Sequence, residues 1–373
     1  MYVSVSGRDR YFDFLRALAL IRVVLHHSFM SVVALQLAFP AMGVMFALGG
    51  SLMARSVDRD AGRAVRNRLR RLLPAVWLMG LILVPLMFYR GWPDRPGWSS
   101  LLLWAVPVGL PPASEFGEHL GAGVLWYIYT YVWLVLLSPW LLRLYRLWNL
   151  PAVLLPFVCL LLLFGYQGIF SVEVFWVLQN IFTYGTFWVL GIAHREGDLA
   201  RLRAPVVLGV AVACVAGASA WAWRHPVDGE FAPHALPIAW PVYMFGFVLV
   251  LLRWAPPMGW MDRLRPVGGF VSLVNNRAVT IYLWHVAALV VAVHLCEPLG
   301  AGSAPAWGAP WPGVSSHWPA ALAGLAVMSA LLGVAVLAFG WVEDLAARRR
   351  PRLSPFVSRR PPAVVPAPSP VST

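Results

Sequence analysis

The sequence predicts an all-α integral membrane protein, a bundle of about ten transmembrane helices with both termini cytoplasmic. Three observations predict it. Of the 373 residues, 60% are apolar and only 12% charged, with a mean hydropathy of +0.70, whereas soluble domains sit nearer half apolar and a quarter charged. Ten stretches approach the roughly 20 mostly apolar residues that a helix needs to cross a bilayer. The arginines, finally, fall almost entirely on alternate loops.

The stretches lie at about 13–34, 40–54, 72–90, 120–142, 150–166, 173–193, 205–223, 237–252, 274–296 and 319–342, the second and eighth being short. The first begins beyond a polar Arg8-Asp9-Arg10 and is interrupted by Arg16, Arg22, His26 and His27, so it reads as a retained helix and not a cleavable signal peptide. The loops at 91–119 and 297–318 are rich in Gly, Pro, Trp and Ser and are long enough to cover an opening on the outer face. With the N-terminus inside and the spans alternating, 23 Arg fall on inside segments and three outside, at Arg90, Arg95 and Arg224. That is the asymmetry of the positive-inside rule. The chain therefore divides into a transmembrane domain over 1–345 and a basic, Pro-rich, disordered cytoplasmic tail over 346–373.

All 29 basic residues are Arg, which excludes a lysine Schiff base, a pyridoxal-phosphate anchor and a Walker A lysine. The net charge of +13 invites a nucleic-acid reading, but its placement on one side of the membrane accounts for it, and no nucleic-acid partner is expected. The three cysteines lie far apart in apolar runs and read as buried hydrophobes. The nine His are scattered without a metal-ligand pair, so no metal is expected, and there is no GxSxG elbow.

Ionisable residues inside a span are costly, and each is a functional-site candidate. Arg16 and His27 stand eleven residues apart on the first helix, which at about 100° per residue returns them to one stripe, about 16 Å apart along the axis. Asp13 lies one turn before Arg16 on the same side, where it could hold the guanidinium. The stripe resembles a track with an anion site at one end and a base at the other. Arg16 also fits a headgroup-snorkelling cation, and His27 a hydrogen-bonded core histidine. His26 points about 80° from Arg16 and is the second choice as base, and Arg22 points towards a partner helix. A second cluster, Arg66, Arg68, Arg70 and Arg71, opens the third helix; it suits either bidentate phosphate binding or a topological stop. A third surrounds Tyr282 and His285, where a structural hydrogen bond is as good a reading as catalysis. Glu173 in the sixth stretch is a further polar candidate.

The pattern resembles the membrane-bound acyltransferase-3 family. Arg16-x10-His27 is similar to its first-helix Arg-x10-His motif, and Arg68-x-x-Arg71 with Pro74 to its cytoplasmic Arg-x-x-Arg motif. Leu125-Trp126-Tyr127 and Ile281-Tyr282-Leu283-Trp284-His285 are similar to two further signatures. The Arg-only, Trp-rich style looks like the actinobacterial branch. The chain departs at Gly49-Gly50, where many members carry Ser-Gly, and at Ile128 to Tyr131, where an acidic residue is frequent. Only about thirty residues follow the tenth stretch, so the fused extracytoplasmic domain of some members is not expected.

The resemblance implies a multi-pass enzyme of a bacterial plasma membrane. It would carry an acyl group, acetyl above all, from cytoplasmic acyl-CoA to a hydroxyl of a carbohydrate or glycosylated acceptor. Acyl-CoA would be a co-substrate, with no permanently bound cofactor. It assigns His27 as base or transient acyl carrier, Arg16 as the residue that positions or neutralises the donor, and Arg68 and Arg71 as acyl-CoA ligands, and its signatures take in Trp126, Tyr282 and His285; the residue reading itself adds Asp13 and His26 beside the base, Arg66 beside the arginine pair and Glu173 as a polar candidate. A multi-span exporter of a lipid-linked or glycosylated compound is the alternative, indicated by transport without acyl-CoA consumption.

Overall fold

The computed structural model describes residues 10–29, 33–296 and 318–351; the outer loop expected at 297–318, apart from its last residue, and the tail beyond residue 351 lie outside the described residues. Among the described residues the long elements are helices, and one isolated bridge joins Val227 to Glu230. In chain order the principal helices are α1 Arg10–Ser28, α2 Ala41–Val57, α3 Ala61–Tyr89, α4 Leu125–Trp148, α5 Pro151–Gly165, α6 Val172–Glu196, α7 Ala204–Arg224, α8 Ala239–Arg253, α9 Arg265–Asn276, α10 Ala278–Cys296, α11 Trp318–Phe339 and α12 Trp341–Ala346.

Each of the ten apolar stretches overlaps at least one helix among the described residues. Five helical segments, Ala61–Tyr89, Ala122–Trp148, Ala204–Arg224, Ala278–Cys296 and Ala321–Phe339, are long and apolar enough to cross a membrane. Two of them are inverted relative to a soluble bundle: only 22% of the apolar window of α7 and 17% of that of α11 is buried within the protein. Apolar side chains facing outward in such numbers suit a hydrocarbon solvent.

Two boundaries differ from the sequence reading. The third stretch starts eleven residues earlier than expected, because Asp60 caps α3 by accepting a 2.8 Å hydrogen bond from the Arg63 backbone N–H. The basic cluster therefore lies within the helix, on two of its faces. The ninth stretch is broken: α9 ends at Asn276, Arg277 leaves helical geometry with φ −117° and ψ 21°, and α10 begins at Ala278. The break lets the Arg277 guanidinium reach the Gly340 carbonyl (2.7 Å) and the Asp344 carboxylate (2.7 Å) at the start of α12.

The tightest crossing is that of α2 with α6. A Cβ at Gly191 would stand 1.9 Å from the Ala47 carbonyl oxygen, and one at Gly50 would stand 2.1 Å from that of Trp188, so backbone meets backbone. Small residues at a helix interface are what permit such an approach in a membrane bundle. Trp188 fills the space beside them, fully buried, and its indole N–H donates to the Ser138 hydroxyl of α4 at 3.0 Å. This explains the departure at Gly49: a Cβ there would lie 2.7 Å from the Trp188 ring. Helices α2, α4 and α6 thus pack on one another, with α1 against α2, while α10 packs against α1, α3 and α11.

Candidate active site

Two cavities lie along α1, one beside its middle and one beside its C-terminal half. The first, about 260 Å³, is lined by Arg16 of α1, Arg68 and Arg71 of α3, Tyr127 and Tyr131 of α4, and Tyr282 of α10. Arg68 and Arg71 are three residues apart on a continuous helix, which puts both guanidiniums on one face. Arg66 and Arg70 face elsewhere, into a groove between α3 and α4 walled by Trp77, Trp133 and Trp140. Arg16 lies within electrostatic range of Arg68, Asp13, Tyr127 and Tyr131. No ion pair joins Arg16 to Asp13 among the described residues; the Asp13 backbone carbonyl accepts a 2.7 Å hydrogen bond from the Asn275 side chain, tying α1 to α9.

Asn275, Asn276, Glu343, Asp344 and Arg349 complete this cavity from the far side. The Glu343 carboxylate accepts from the Thr280 backbone N–H at 2.8 Å and from the Thr280 hydroxyl. Burial holds its pKa above the usual carboxylate range, against the opposing pull of those Thr280 bonds and of Arg277.

The second cavity, about 210 Å³, holds His26, His27 and Arg22 from α1, Trp126 from α4, Tyr184 from α6, and His234 and Trp240 from the approach to α8. Arg22 therefore faces the same cavity as the two histidines, where the sequence reading turned it towards a neighbouring helix. Tyr282 is common to the two linings. Its hydroxyl donates to the Val124 carbonyl at 2.8 Å, and its ring lies 4.9 Å from that of Tyr127. Trp126 stacks on Tyr184 at 5.3 Å. These rings form an aromatic partition between the arginines and the histidines.

The His27 ring lies 5.3 Å from His26 and 4.8 Å from His285. His285 is completely buried, and its Nδ1 bonds the Tyr282 carbonyl. A carbonyl only accepts, so Nδ1 carries the proton and Nε2 keeps its lone pair. That Nε2 is buried and makes no hydrogen bond among the described residues. The arrangement can do two things chemically: present an imidazole to a hydroxyl at one cavity, and hold an anion at the other.

Against known families, the acyltransferase-3 domain matches residues 9–341, all but the ends of the chain. The chain belongs to the acyltransferase-3 family. The protein is thus a membrane acyltransferase of the O-acyl type, transferring groups other than aminoacyl groups. No curated protein and no solved structure matches the chain.

The acyltransferase brings most of the sequence candidates to the cavities and leaves others outside. Arg16, Arg68, Arg71 and Tyr282 meet at the first, and His26, His27 and Trp126 at the second. Glu173 is exposed at the start of α6 and lines neither, and Arg66 lies in the separate groove. Sequence reasoning missed His234, Trp240, Tyr184, Tyr131, Glu343 and Arg349. Glu343 and Asp344 had a usable signal, a pair of acids among arginines at the end of the last span. His234 and Trp240 had none, because the segment before α8 and the first turn of α8 meet α1 only through the tertiary fold. Among the described residues no group of three His, Cys, Asp or Glu side chains is placed to hold a metal ion.

Proposed function

We propose that this acyltransferase carries an acyl group, acetyl in the first instance, from acyl-CoA on the cytoplasmic side to a hydroxyl of a carbohydrate or glycosylated acceptor. One observation carries the reading: an arginine-lined cavity and a histidine-lined cavity follow one another along α1 and share Tyr282 as a wall. The arginine distribution supports a ten-span bundle with both termini inside and the first cavity on the cytoplasmic side, and the family resemblance supports a bacterial plasma membrane. The transmembrane domain runs over 1–345, and the remaining residues form the cytoplasmic tail.

Arg68 and Arg71 bind the phosphates of the donor, each guanidinium matching a phosphate in a two-pronged bond. The thin pantetheine arm passes inward beside Arg16 and delivers the thioester to the aromatic partition. His27 accepts the proton of the acceptor hydroxyl as its oxygen attacks the thioester carbonyl. The tetrahedral intermediate then expels the CoA thiolate, which takes up the proton. In the alternative route His27 attacks first, CoA thiol leaves, and the hydroxyl then displaces imidazole from the acyl-histidine. Acceptor-free incubation separates the two routes, since only the second releases one equivalent of CoA and leaves a labelled protein.

The test is incubation of membranes with labelled acetyl-CoA and candidate glycan or glycosylated acceptors, with mass spectrometry of the products. Acetylated product that disappears with His27→Ala supports the reading. Export of the acceptor without acetyl-CoA consumption overturns it.

A further inference from the structure

The last described segment brings an arginine back to the donor cavity from outside the residues that match the family. Arg349 follows α12 and lines the first cavity with Arg16, Arg68 and Arg71, eight residues beyond the end of the matched region at 341. Its position is built, not incidental. Arg348 adopts a left-handed backbone with φ +57°, the conformation that commonly ends a helix and turns the chain back. The turn is closed by the Arg348 N–H on the Leu345 carbonyl at 2.9 Å and the Arg349 N–H on the Asp344 carbonyl at 2.8 Å. Helix α12 is itself anchored by the buried Arg277–Asp344 ion pair at 2.7 Å and by Glu343 on Thr280.

Charge at the cavity is unbalanced. Two carboxylates share the lining, but Asp344 is bonded by Arg277 and Glu343 by Thr280. None of Arg16, Arg68, Arg71 and Arg349 is ion-paired among the described residues, and Arg349 lies within electrostatic range of Arg71. Four guanidiniums facing one opening repel one another unless an anion joins them. The cavity is about 260 Å³, below the roughly 300–1,000 Å³ that encloses a drug-sized ligand. Only the slim arm of a donor fits within it, and a bulky phosphorylated end must rest at the mouth, where Arg349 stands exposed.

We propose that Arg349, turned back by Arg348 and carried on α12, is a phosphate-binding residue of the donor site, so that the C-terminal segment completes the recognition of the nucleotide end of acyl-CoA. This rests on the donor reading given above. Arg349 acts with Arg68 and Arg71 as a third fork on the phosphates, contributed by the opposite wall of the opening.

The full-length protein, purified in detergent, is titrated with CoA and with pantetheine, which lacks the phosphates. Arg349→Ala is expected to weaken CoA about tenfold or more, to leave pantetheine binding and the melting temperature unchanged, and to be only partly rescued by Arg349→Lys, which cannot form the two-pronged bond. If Arg349→Ala binds CoA as tightly as the parent while Arg68→Ala/Arg71→Ala loses it, the donor site stands and Arg349 is not part of it. If the double variant also binds CoA normally, the donor reading falls, and this inference with it. A repeat in nanodiscs of phosphatidylcholine with and without phosphatidylglycerol separates the phosphate sources. Should Arg349→Ala abolish only a lipid dependence of CoA binding, the residue serves headgroups and the proposal is overturned.

Discussion

The imidazoles of His27 and His285 lie 4.8 Å apart, centroid to centroid, although one closes α1 and the other sits inside α10. Because His285 donates Nδ1–H to the Tyr282 carbonyl, its free Nε2 lone pair is the group it can offer to a neighbour. His285 thus provides an acceptor that can orient a His27 N–H and leave the other His27 nitrogen free for the reaction. His27→Ala is expected to reduce transfer by about 10²–10⁴-fold, the usual contribution of a general base. His285→Gln should lower kcat and change its pH profile with little effect on the KM for acetyl-CoA. A His27→Ala enzyme with parental activity and normal membrane insertion would remove His27 from the mechanism.

Arg68→Ala/Arg71→Ala is expected to raise the KM for acetyl-CoA at least tenfold while kcat changes less, because each charge-assisted bond to phosphate contributes about 1.5–3 kcal/mol. Steady-state kinetics over acetyl-CoA concentration read the split. Arg66→Ala, placed in the neighbouring groove, should leave that KM unaltered.

Gly191→Ala should unfold or strongly destabilise the bundle, since the added carbon would stand 1.9 Å from the Ala47 carbonyl oxygen, with backbone on both sides. Overpacking costs about 1–3 kcal/mol in ordinary cores, and the rigidity of two backbones places this case at or above the upper end. Gly217→Ala, with nothing within 4 Å, is the matched control and should keep its melting temperature in detergent.

The Arg277–Asp344 pair has side chains only 5% and 11% exposed. Removal of one partner, as in Asp344→Ala, leaves a buried charge and is expected to cost about 3–5 kcal/mol. The double change Arg277→Met/Asp344→Leu should recover much of that loss in thermal unfolding. Equal destabilisation by the single and double variants would show that the bond from Arg277 to the Gly340 carbonyl, and not the ion pair, anchors α12.

His234 provides a pH test on the loop before α8. Burial first, and the charge of Arg22 second, hold its pKa below the ordinary 6.5. The unfolded chain then binds a proton at pH values where the folded chain does not, so stability is full above about 6.5 and falls as pH drops below it. His234→Gln should flatten this decline in a series of melting curves between about pH 7.5 and 5. An unchanged slope would exclude His234 as its source.

The helices were legible because an apolar stretch that meets lipid must satisfy its own backbone, a local requirement written in about 20 consecutive residues, and five of them are long and apolar enough to cross a membrane. Arg16 and His27 were legible for the related reason that a charge in such a stretch stands out. The break at Arg277 was not, since its cause is an acid 67 positions later in the chain. Nor was the place of Arg66, because α3 turns it towards Trp133 and Trp140 of α4. Glu173 drew notice as an acid in an apolar stretch, yet it sits on the exposed first turn of α6.

By itself, the sequence determined the all-α class, the apolar stretches, the spacing that sets Arg16 and His27 on one helix, and the family resemblance. Only the tertiary structure decided that His27 meets His285, that Tyr282 walls both cavities, and that His234 and Arg349 return from distant loops to the two openings. The physical reason lies in range. Hydropathy and helical period are properties of neighbours along the chain, whereas a site is a convergence of helices, and close approaches such as Gly191 on Ala47 are settled by packing between residues remote in sequence.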